Sequence, residues 1–163
     1  MPGLIGLLVL IGGVIFAISR IMDGANDVGY AARRFAWLRK SRRQVVDGIS
    51  DAREAAAILM LQAPSYRGVL TDEDFEAVRA QLSETVGSSP EETTELLAVA
   101  GVALKEVGDA GNKLRPILRP INETCTAEQK QELLDSVAKL SALKGEPTDL
   151  QKNFQQQLSM ALL

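Results

Sequence analysis

The sequence predicts an all-α protein, with an N-terminal single transmembrane helix followed by a compact helical bundle. Three observations predict it. An uncharged apolar run opens the chain, helix start and stop signals recur through the remainder, and no stretch alternates apolar and polar residues as a half-buried strand would. Aromatic residues make up only 4% while Ala, Leu, Glu and Gln abound, a balance that favours helices over sheets. Once the anchor is set aside, 163 residues leave room for one folded domain.

The anchor is expected over residues 1–22. Pro2 to Ser19 carry no charged side chain. As a helix this stretch spans about 27 Å, the short end of what crosses a hydrocarbon core of about 30 Å. A cleaved signal peptide would place Lys or Arg before the apolar run; here none precedes it, Arg20 follows it, and Ala17-Ile18-Ser19 is a weak cleavage site. Gly6, Gly12 and Gly13 leave smooth patches on the helix, and Gly13 with Ala17 forms a small-xxx-small pair suited to close packing on another membrane helix.

Charge sets the expected orientation. Arg20, Arg33, Arg34, Arg39, Lys40, Arg42 and Arg43 face only Asp23 and Asp27 within residues 20–43, and acids outnumber cations over the rest of the chain. By the positive-inside rule the N-terminus lies outside and the remainder is cytoplasmic. Residues 23–48 form a basic juxtamembrane segment in which Val28, Ala31, Phe35 and Leu38 recur at helical spacing, with Tyr30 and Trp37 among the cations. Two readings stand: an amphipathic helix on anionic lipid headgroups, or a first core helix with a solvated basic face. In either, Arg33, Arg34, Phe35, Trp37, Arg39 and Lys40 are the residues expected to meet membrane or partner.

The domain is expected over residues 49–163, with helices at about 50–62, 71–86, 89–107, 112–122, 126–144 and 148–161. Ser50-Asp51 opens the first. Thr71 with Asp74, Ser89-Pro90 with Glu92, Thr126 with Gln129 and Thr148 with Gln151 each place a capping hydroxyl three residues before a side chain able to reach back to it. Gly87 offers a left-handed stop, and Gly145 and Pro147 break the chain between the last two helices. The expected core stripes are Phe75, Val78, Leu82 and Val86; Leu96, Leu97, Ala100, Val102 and Leu104; Leu133, Leu134, Val137, Leu140 and Leu143; and Leu150, Phe154, Leu158 and Met160.

Two stretches resemble each other. Arg67-Gly68-Val69-Leu70-Thr71-Asp72-Glu73-Asp74 and Lys144-Gly145-Glu146-Pro147-Thr148-Asp149-Leu150-Gln151 each follow an apolar helix and read basic–Gly–x–x–Thr–Asp into the next one. They imply two related helical hairpins facing each other in one bundle. On these motifs, residues 48–163 resemble the TerB-like (tellurite-resistance) family, whose turns read roughly Asp-Gly-x-[Val/Ile]-[Ser/Thr]-x-x-Glu. The resemblance implies an all-α domain of two related helical hairpins; with the anchor and charge asymmetry above, the expected location is a bacterial inner membrane, single-pass, N-terminus out. The resemblance also implies a divalent-cation site, for which Asp72, Asp74, Glu146 and Asp149 are the candidates. Yet the family's Asp is Arg67 in one turn and Lys144 in the other, and its Glu is Asp74 and Gln151, so most hard-cation ligands are lost. The expectation is the fold without metal or other cofactor.

Other function classes are narrowed by what the chain lacks. It contains no histidine, which removes His-based acid–base catalysis, Ser/His and Cys/His pairs and His metal sites. Cys125 is the sole cysteine, so no intramolecular disulfide forms. An acidic body makes a poor nucleic-acid partner. Gly108-Asp109-Ala110-Gly111 lacks the strand and lysine of a phosphate loop. Lys113, Arg115 and Arg119, set among Pro116 and Pro120, form the one basic patch on that body and are expected to be an exposed docking loop on a kinked linker. The expected protein is therefore no enzyme but an accessory or scaffold subunit of an integral membrane complex, a respiratory assembly being one host; a TerB-type stress-response protein with an acidic metal site is the alternative.

Overall fold

The computed structural model describes residues 45–163. The expected anchor and residues 23–44 of the juxtamembrane segment lie outside the described residues. Among the described residues the chain is helical throughout, with no strand. A short 3-10 turn at Val45–Gly48 leads into six helices: α1 (Ala52–Ser65), α2 (Asp72–Val86), α3 (Pro90–Val107), α4 (Leu114–Thr124), α5 (Ala127–Ser141) and α6 (Asp149–Leu162), with a second 3-10 turn at Ala110–Lys113 before α4. None of these helices is long and apolar enough to cross a membrane.

Helix α1 is the central element. Every residue from Glu54 to Pro64 is buried, and the helix packs against all five others. Its sequence explains the role: Ala55, Ala56, Ala57 and Ala63 let neighbouring backbones approach, while Ile58, Leu59 and Met60 fill the gaps between them. A helix apolar on all sides belongs inside a bundle rather than at its surface. Ala57 is fully buried, so a leucine there would overpack the centre at a cost of about 1–3 kcal/mol.

The helix starts are chemically determined. Thr71, Ser89, Thr126 and Thr148 all close the capping boxes that their sequences anticipate, each cap being worth about 1 kcal/mol. For α1 the cap is Asp51, which accepts from the Arg53 amide at 2.8 Å. Gly87 ends α2 in the left-handed conformation, φ 64°, as a chain reversal without a Cβ allows.

Long-range hydrogen bonds set the helix directions. Gln62 meets Ala110, Arg119 meets Ile49, Gln151 meets Ala63 and Asn122 meets Ala161. Successive helices therefore run back and forth, which gives the bundle two poles separated by the roughly 20 Å length of α1. At one pole the chain enters through Val46 and Ile49, both buried in the core. At the other lie the α1–α2 and α5–α6 turns.

Three expected core residues are exposed. Leu150 and Met160 face solvent at 61% and 71%, because α6 buries Gln151, Phe154, Leu158 and Leu162, a stripe that leaves both leucine and methionine off its face. Leu143 is 44% exposed, because α5 stops at Ser141 and Leu143 falls in the turn beyond it. Phe75, Val86, Val102, Leu104 and Leu134 are partly buried against the core, and the remaining stripe residues are buried within it.

Candidate functional site

The two similar turns lie against one another. Gly68 and Gly145 have φ of 126° and 101°, a region that L side chains rarely adopt, and each turns the chain sharply ahead of its capping threonine. The basic residue before each glycine then crosses to the other turn. The Arg67 guanidinium donates to the carbonyls of Lys144 at 3.3 Å and Gly145 at 3.1 Å, and to that of Glu146. In the opposite direction the Lys144 Nζ donates to Asp74 Oδ2 at 2.6 Å.

Asp74 is the focus of this junction. Its residue is 4% exposed, and its Oδ2 accepts from the Thr71 amide at 2.8 Å, the Thr71 hydroxyl at 2.9 Å and Lys144. Burial by itself would raise its pKa. The hydrogen bonds from Lys144 and Thr71, together with the lysine charge, outweigh burial and hold the carboxyl below the usual carboxylate range. The residue at the matching position of the second turn is Gln151, which is fully buried. Its Oε1 accepts from the Thr148 amide at 2.9 Å, and its Nε2 donates to the Ala63 carbonyl at 2.8 Å near the end of α1. A carboxylate could accept the first bond and could not donate the second.

The other expected cation ligands disperse. Glu146 is exposed and pairs with Lys152 at 3.1 Å. Asp72 and Asp149 are exposed in the first turns of α2 and α6, where acids favour the helix dipole. Among the described residues no group of three His, Cys, Asp or Glu side chains could hold a metal ion. What the junction does chemically is join two chain reversals through two cations, one on carbonyl dipoles and one on a carboxylate.

A second network, unanticipated in the sequence, anchors the loop after α3. The Tyr66 hydroxyl donates to Asp109 Oδ1 at 2.5 Å, and the same oxygen caps the 3-10 turn by accepting from the Gly111 amide at 2.8 Å. Gln62 accepts from the Ala110 amide at 2.8 Å and donates to Ser65 at 2.8 Å. A Cβ on Gly111 would come within 3.0 Å of Asp109 Oδ1 and 3.2 Å of the tyrosine oxygen, which accounts for glycine there. Burial, then the Asp109 bond and charge, push the Tyr66 phenol well above its ordinary pKa. The Tyr66 ring also meets Phe154 of α6 edge-on, centroids 5.3 Å apart. The loop thus has a structural use where a phosphate loop fails on sequence.

The basic segment expected to dock lies on helix α4, close to the helix that the sequence predicts at about 112–122. Pro116 falls in its first turn, where an amide hydrogen bond is not required, and Pro120 is accommodated inside the helix. Ile117, Leu118, Pro120 and Ile121 face the core, while Arg115 and Arg119, one helical turn apart, are exposed on the opposite side and Lys113 is half-buried at the helix start. Arg119 reaches the Ile49 carbonyl at 3.5 Å, beside the point where the chain enters the bundle. Cys125 follows α4 as a free thiol, partly buried against the core.

Gly6, Gly12, Gly13, Ala17, Arg33, Arg34, Phe35, Trp37, Arg39 and Lys40 lie outside the described residues. No family model, curated protein or solved structure matches the chain. The candidate sites therefore stand on their own geometry. The Arg67 and Lys144 crossings carried a signal in the repeated basic–Gly–x–x–Thr–Asp pattern, which places two like turns in one domain. The Gln151 bond to Ala63 and the Tyr66–Asp109 pair carried none, because these partners are distant in sequence.

Proposed function

We propose that this protein is a non-catalytic, membrane-anchored accessory or scaffold subunit of a larger membrane protein complex. Its apolar N-terminal segment docks among transmembrane helices, and its helical bundle bridges or caps partners on the cytoplasmic side of a bacterial inner membrane. The observation that carries this reading is the charge-free stretch from Pro2 to Ser19 followed by seven cations within residues 20–43.

The bundle supports the same reading by how it uses its polar groups. Asp74, Gln151, Tyr66, Asp109 and Arg67 are all committed to holding helices and turns together. In the proposal these residues keep a rigid body at the end of an anchor, and the chain has no histidine to support acid–base chemistry. The facing turns also support kinship with TerB-like helical hairpins, and the lysine seated on Asp74 weighs against carrying over that family's cation chemistry.

The test is extraction of native membranes with mild detergent, followed by native electrophoresis and mass spectrometry of co-migrating chains. Co-migration with integral membrane polypeptides is the expected result. Migration as a free monomer under every mild condition would sink the proposal.

A further inference from the structure

The bundle is acidic as a whole, yet one flank departs from that character. Helix α4 contains a single acid, Glu123, against Arg115 and Arg119, and α6 contains none after Asp149 at its first residue. Among the described residues no carboxylate forms an ion pair with Arg115 or Arg119. The Asn122 side chain donates to the Ala161 carbonyl at 3.4 Å, so the C-terminal end of α6 lies beside α4. At that end Met160 and Leu163 are 71% and 70% exposed. Arg119, one turn before Asn122, shares this end of the flank with the two apolar side chains, and Arg115 continues the basic face one turn further back along α4, a pattern of cations and exposed apolar groups suited to a lipid interface.

The position of this flank selects its occupant. Arg119 touches the Ile49 carbonyl, and α4 packs on the Val45–Gly48 turn, which directly follows the cation-rich residues 20–43 in sequence. We propose that the α4–α6 flank is a docking surface for the anionic headgroups of the bilayer, with Arg115 and Arg119 on lipid phosphates and Met160 and Leu163 at the acyl boundary. The proposal rests on the membrane-anchored reading above and adds an orientation to it: the α4–α6 flank is tilted onto the bilayer at the pole where the chain enters the bundle, with the Gly68/Gly145 turns at the other pole farther from it.

The full-length chain, carrying Cys125→Ser, is incorporated into lipid nanodiscs with a fluorophore on Asn122→Cys of α4 or, as a control at the far pole, on Val69→Cys. The discs contain phosphatidylcholine alone or with phosphatidylglycerol, plus a headgroup-bound quencher. Stronger quenching at position 122 than at 69, present only with the anionic lipid and reduced by salt, is expected. Each arginine replaced should weaken the contact roughly fivefold. Arg115→Gln is the primary variant because Arg119 also bonds Ile49; thermal unfolding of Arg115→Gln and Arg119→Gln separates docking from folding. Equal quenching at the two positions in discs that retain the chain overturns the docking and leaves the anchor intact. Failure of the chain to stay with bilayers after alkaline carbonate overturns the anchor and the docking together. Protection of α4 in native membranes but not in lipid-only discs overturns the lipid assignment in favour of an acidic protein partner.

Discussion

Lys144 and Asp74, 70 positions apart in sequence, meet at 2.6 Å between the ammonium and Oδ2. The carboxylate is nearly inaccessible while the lysine keeps 44% of its side chain in solvent, so the pair is wet on one side. Replacing Lys144 with Met should lower unfolding stability by about 1–2 kcal/mol, less than a fully buried pair would cost, because water screens the exposed partner. Denaturant titration of the single and double variants with Asp74→Asn should reveal a coupling between the two positions. Strict additivity would show that the contact contributes nothing.

The depressed pKa of Asp74 makes a signed prediction for acid. An unfolded Asp titrates near pH ~4, whereas the native carboxyl holds its charge to lower pH. Between these values the unfolded chain binds more protons, so stability is present above the unfolded pKa and lost as pH falls through the native one. Asp74→Asn should flatten that acid limb. An unchanged slope below pH ~4 would assign the acid sensitivity to other carboxyls.

Tyr66 predicts the opposite limb. Its phenol is raised above its ordinary value, so the native state keeps a proton that the unfolded chain releases above pH ~10. Stability should therefore fall as pH rises beyond that point. Tyr66→Phe should remove the alkaline dependence and, at neutral pH, cost about 1 kcal/mol for the lost bond to Asp109. Near-ultraviolet absorbance followed with base checks the titration directly.

Gln151 offers a test of donor chemistry. Gln151→Glu keeps the capping acceptor for Thr148 but places a carboxylate oxygen against the Ala63 carbonyl. The expected cost at neutral pH is about 2–3 kcal/mol, partly recovered on acidification when the acid can donate. Thermal melts at two pH values decide it, and a neutral-pH melt equal to that of the parent chain would contradict the buried geometry.

Gly145 should resist substitution for a backbone reason. At φ 101° an alanine is strained although nothing crowds its Cβ, so Gly145→Ala should cost about 1 kcal/mol or more, and Gly145→Asn less. Equal stabilities of all three would mean that the turn relaxes freely.

Local chemistry determined most of what the sequence by itself disclosed. Four capping boxes lie where Thr71, Ser89, Thr126 and Thr148 precede a reaching side chain by three residues, because the orphan amides of a helix start are satisfied by nearest neighbours. Helix class, order and approximate bounds follow from such signals, and so does the pairing of two like turns. Tertiary structure alone decided the rotation of α6, which buries Gln151 and exposes Leu150 and Met160, since a helix turns whichever face its neighbours can fill. It alone decided which face of the helix over LRPILRPINE is covered, burying Ile117, Leu118, Pro120 and Ile121 and leaving Arg115 and Arg119 outside. And it alone brought Lys144 to Asp74 and Arg67 to the opposite turn, because a contact between chain reversals far apart in sequence exists only once the helices between them have packed.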